Sequence, residues 1–62
     1  MKSYNCTSFP ADAIRGYEFG EEVKVDILSH GQVDGSVILS LSDARVFAAD
    51  LIAAADKLEQ SQ

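Results

Sequence analysis

Ser42-Asp43-Ala44-Arg45-Val46-Phe47-Ala48-Ala49-Asp50-Leu51-Ile52-Ala53-Ala54-Ala55-Asp56-Lys57-Leu58-Glu59-Gln60 reads as one long helix. It contains no glycine or proline, and alanine, the strongest helix former, recurs through it. Wound at about 3.6 residues per turn, it places Ala44, Phe47, Ala48, Leu51, Ala54, Ala55 and Leu58 on one face, a stripe suited to burial. Ser40 and Asp43 have the spacing of a capping box, with Ser42 as the alternative N-cap and Leu41 as the outer half of a hydrophobic staple. Asp43 suits the positive end of the helix dipole and Lys57 the negative end, whereas Glu59 does not, so fraying is expected after Leu58.

The same segment carries a second, shallower apolar seam. Val46, Ala49, Ile52 and Ala53 fall away from the main stripe, where a solvated face would carry lysine, glutamate or glutamine. Alanine can fill an exposed helix without further meaning. A seam of small residues also lets a second helix approach closely, and it is read here as the contact of a homodimer.

Length points the same way. A chain of 62 residues makes one domain over 1–62, and at this size only about 60% of the unfolded surface is buried on folding. Cys6 is the only cysteine, so no internal disulfide can staple the fold, and a reducing, cytoplasmic setting is expected. No apolar run approaches the roughly 18 residues that span a bilayer. The net charge of −5 argues against direct nucleic-acid binding and against an anionic membrane surface. It favours a protein partner with a basic patch, although acidity also serves solubility alone.

Upstream, the pattern changes. Residues 1–9 alternate loosely, as in an edge strand, and Asn5-Cys6-Thr7 matches a glycosylation triplet that lacks a secretory context. Pro10 to Gly16 reads as one or two helical turns, with proline at the first helical position and glycine just past the end. From Tyr17 the period becomes two: Val23, Val25 and Ile27 share one face, while Glu18, Glu22 and Asp26 share the other if the strand runs unbroken. That acidic strip is a candidate docking surface for a basic partner, or simply a solvated sheet face.

The next strand, residues 36–41, offers Val37, Leu39 and Leu41 as its apolar face. A two-residue turn at His30-Gly31 would put Val25 opposite Ser36, so a loop of three or five residues is expected instead. The expected fold is therefore α+β. It comprises a small antiparallel sheet, built on a hairpin of residues 22–28 and 36–41 plus a third strand from residues 2–9 or 17–19. A C-terminal helix over residues 43–59 packs on one face.

Chemistry is sparse. Cys6 has no histidine placed to activate it, His30 and Asp34 fall two ligands short of a zinc site, and no nucleotide, hydrolase or calcium motif occurs. No enzyme activity, metal or cofactor is expected. A regulatory interaction module leads. The alternatives are a small-molecule site between subunits near Arg15, Tyr17 and His30, and a structural subunit of a larger assembly.

Overall fold

The computed structural model describes residues 1–61. Four strands, β1 (Tyr4–Asn5), β2 (Asp12–Phe19), β3 (Glu22–Ser29) and β4 (Gln32–Leu39), form an antiparallel meander in chain order, and α1 (Leu41–Gln60) follows. This is the α+β arrangement anticipated from the sequence: a small antiparallel sheet with one long C-terminal helix.

The segment from Pro10 to Gly16 is not helical. Pro10 instead occupies the second position of a turn closed by the Asp12 N–H donating to the Phe9 carbonyl at 2.8 Å, a role its fixed φ suits equally well. From Asp12 the chain pairs with β3 along its whole length, Ile14 opposite Ile27 and Arg15 opposite Asp26. Ladder hydrogen bonds to a central strand outweigh a helical preference too short to stand alone. Of residues 1–9, only Tyr4 and Asn5 join the sheet, opposite Ile14 and Ala13.

Gly20 and Glu21 form the tight turn between β2 and β3. Gly20 has φ 62°, the positive value that the first central residue of a type II′ hairpin turn needs. Because the chain reverses here, residues 17–28 are two strands and not one. Tyr17 and Phe19 consequently lie on the sheet face opposite to Val23, Val25 and Ile27.

The β3–β4 connection is the two-residue turn His30-Gly31, shorter than the loop expected. Both residues have positive φ, 52° and 79°, as a type I′ turn requires. The register that such a turn would spoil is rescued inside the strand. Leu28 pairs with Val33 and Ile27 with Gly35, so Asp34 is bulged out and every later pair shifts by one residue. Val25 then faces Val37, and Val23 faces Leu39, as the apolar pattern demands.

β4 ends at Leu39, and Leu41 opens the helix instead of closing the strand. The Ser40 hydroxyl caps α1 by accepting the Asp43 N–H at 3.1 Å. At the far end the helix continues past Leu58 to Gln60, where the Ser61 hydroxyl donates to the Lys57 carbonyl at 3.0 Å.

The interior is thin. Leu28 is the single buried hydrophobic residue among those described and Asp26 the single buried charged one, and α1 buries no residue at all. The accessible surface is 5159 Å², against about 3,900 Å² for a compact monomer of this mass. The radius of gyration, 13.2 Å, likewise exceeds the roughly 11 Å expected for the length. The main apolar stripe of the helix is thus formed but not covered.

Two predictions follow from the hairpin. Deleting Asp34 should leave a regular ladder with all other pairs unchanged, so the variant should fold with stability within about 1 kcal/mol of the parent. Cross-strand nuclear Overhauser contacts between Val25 and Val37 would check it, and their loss would show that the bulge itself is required. His30→Asn, which places a residue more tolerant of positive φ in the turn, should stabilise by about 0.5 kcal/mol in urea titration.

Candidate interaction surface

The two faces of the sheet differ in how they are finished. One face bears Arg15 and Tyr17 from β2, Lys24, Asp26 and Leu28 from β3, and Ser36 and Ile38 from β4. Asp26 stands in the middle of a row that crosses three strands, with Arg15 directly opposite on one side and Ser36 on the other. The Arg15 Nε donates to Asp26 Oδ2 at 2.9 Å, and the Ser36 hydroxyl donates to Oδ1 at 2.7 Å. The Asp26 side chain is only 1% exposed, and no buried side-chain polar atom among the described residues lacks a partner. The Ser36 hydroxyl hydrogen bond is the largest influence holding the carboxyl below its ordinary range. Arg15 and the Tyr17 hydroxyl add to it, and burial opposes them.

Long side chains shield this face around Asp26. The Arg15 guanidinium lies 5.7 Å from the centre of the Tyr17 ring, and the Lys24 ammonium lies 4.9 Å from that of Phe19. They cover the middle of the face around Asp26, while Phe19, Val33 and Ile38 toward its edges stay about half exposed.

The opposite face is apolar and open. Ile14, Val25, Ile27, Val37 and Leu39 form the floor of a groove of about 470 Å³. Val46 and Phe47 of α1 form its wall, and Asp43 and Asp50 edge it from the same helix. Gly16 and Gly35, opposite Val25 and Ile27, contribute no side chains, which keeps the floor low. Ile27 stays 51% exposed and Phe47 43% exposed. No helix residue beyond Asp50 lines the groove, and Leu58 is 67% exposed.

The expected acidic strip does not form. Glu18 pairs with Val23 on the groove face, whereas Glu22 pairs with Phe19 and lies with Asp26 on the opposite face. The reversal at Gly20-Glu21 separates them, and Asp26 is turned inward to Arg15 and Ser36. The surface there carries Arg15 and Lys24 instead. Within the helical seam, Val46 belongs to the groove wall, while Ala49, Ile52 and Ala53 do not line it. Arg15 and Tyr17 are neighbours on one face, but His30 sits at the β3–β4 turn, its N–H donating to the Ala11 carbonyl at 2.9 Å. These three do not converge on one site.

Sequence reasoning missed the Arg15–Asp26–Ser36 row. The available signal was Gly20-Glu21, since a two-residue turn there makes Arg15 and Asp26 equidistant from it and therefore opposite each other. Cys6 is exposed, its sulfur accepting the Phe9 N–H at 3.4 Å. No group of three His, Cys, Asp or Glu among the described residues is placed to hold a metal ion. No helix among the described residues is long and apolar enough to cross a membrane. Comparison with protein-family models, with curated proteins and with solved structures gives no match.

The lowered Asp26 value has a defined consequence for acid stability. A depressed folded-state value means that the carboxylate stabilises fully above the ordinary 3.8, and that this contribution is lost as pH falls through the lowered value. Asp26→Asn should therefore weaken the fold at pH 7 and reduce its further loss of stability below about pH 4. Urea unfolding at pH 7 and pH 3 measures both. A variant as stable as the parent at neutral pH would show that the row does not hold the sheet.

Proposed function

We propose that this chain is a non-enzymatic protein-interaction module that works as a homodimer. The observation that carries the reading is the uncovered apolar surface: sheet and helix both offer apolar side chains to the groove, and neither buries the other. The area in excess of a compact monomer is about 1,200 Å², which exceeds the roughly 800 Å² per partner of a standard stable interface. Large apolar side chains of both layers are among those left exposed, Ile27 and Val37 on the sheet and Phe47 and Leu51 on the helix, and contiguous apolar surface of this kind marks contact surfaces.

With its own apolar face closed by self-association, the dimer would present a doubled acidic charge. Each chain carries −5, and the long-range field favours a protein partner with a basic patch over nucleic acid or an anionic membrane. Regulation or inhibition of such a partner is the role this module would perform. The exposed groove supports self-association first and the basic partner second, because the latter rests on charge alone.

Sedimentation equilibrium tests the reading directly. A species of twice the 6.7 kDa chain mass at micromolar concentration is expected. A monomer that persists into the millimolar range would remove the basis of the proposal.

A further inference from the structure

The charges along the groove identify what covers it. Asp43, Asp50 and Lys57 recur at seven-residue intervals, so they share one stripe of α1, drifting by only about 20° per step. Asp43 is accounted for by the helix N-terminus, whose partial positive charge favours it. Asp50 is different. It lies in the middle of the helix at the edge of an apolar groove, and the only ion pair among the described residues is Arg15–Asp26. Any apolar body that fills the groove takes water from the Asp50 carboxylate, which then needs a positive partner.

The chain supplies that partner on the same stripe. Lys57 projects from the part of the helix that does not line the groove, and it too has no ion-pair partner among the described residues. Halfway between positions 50 and 57 stand Ala53 and Ala54, which allow another helix to approach closely. Leu51 and Leu58 flank them on the side of Phe47, and Leu58, nearer the C-terminus, is free to enter the groove.

We propose that the groove is closed by the C-terminal half of α1 from a second copy, the two helices crossing antiparallel at Ala53–Ala54. A two-fold axis at that point places Lys57 against the partner's Asp50 and, by symmetry, Asp50 against the partner's Lys57. The groove volume of about 470 Å³ accommodates several aliphatic side chains, and in this crossing Leu58 comes opposite position 49, beside the groove wall. This arrangement rests on the homodimer reading above and adds its geometry.

Charge exchange tests it. Asp50→Lys and Lys57→Glu are made separately, and each is examined by sedimentation and far-UV circular dichroism, alone and as an equimolar mixture. Each variant alone places like charges together twice per dimer and should weaken self-association at least about tenfold. The mixture should recover near-parental affinity, because one chain then presents two positive charges at positions 50 and 57 and the other two negative ones. If either variant unfolds when it cannot dimerise, mixing should also restore the helical signal. A monomeric parent would overturn both this arrangement and the reading it rests on. A dimeric parent whose variants associate unchanged, or fail to recover on mixing, would overturn the arrangement alone.

Discussion

The sheet is held in one register by a carboxylate that cannot be left alone. Asp26 is buried beneath the long side chains of its own face, and its two oxygens are satisfied from two different strands, by Arg15 of β2 and Ser36 of β4. A slip of either neighbour by one residue would turn the donor to the other face and strand the charge. Leaving a buried charge unpaired is penalised more heavily than displacing one aliphatic contact. Apolar residues alone would discriminate poorly here, because Val23, Val25 and Ile27 present nearly equivalent surfaces at every second position. The directional row supplies the specificity that a thin interior cannot.

The bulge at Asp34 makes sense within that constraint. His30-Gly31 closes the hairpin two residues across, and a regular ladder from that turn would set Asp26 against Gly35. One extra residue in β4 brings Ser36 into line with Asp26 and, in the same step, Val37 into line with Val25. The turn, the polar row and the apolar floor are three separate local preferences, and the single bulged residue reconciles them.

How much of this could be read from residues alone differs by element. The helix was legible down to its cap, because composition, period and the Ser40–Asp43 spacing agree. The pairing of Val23 and Val25 with β4 was legible too, since alternation fixes which faces must meet. The device that achieves it was not, because a bulge has no pattern of its own and trades against loop length. Pro10 to Gly16 misled because proline and glycine punctuate turns and helices alike. The decision between them lay in β3, whose whole edge needed a partner. The same error hid the row: with Arg15 placed in a helix and residues 17–28 in one strand, Asp26 looked like part of an acidic strip.

What remains is why so well-formed a helix covers so little. A sheet with one apolar face needs a second layer, and a single helix about 10 Å wide cannot span four strands. α1 therefore walls one side of the floor and leaves the rest open. Bare hydrophobicity would accept any apolar body there. Asp50 narrows the choice, because a partner without a cation at that point would bury its carboxylate unpaired. A chain that carries the matching cation seven residues further along the same helical stripe would, in the proposed arrangement, be complementary to itself under a two-fold axis. Among possible occupants of the groove, a second copy is the one for which this sequence already provides the counter-charge.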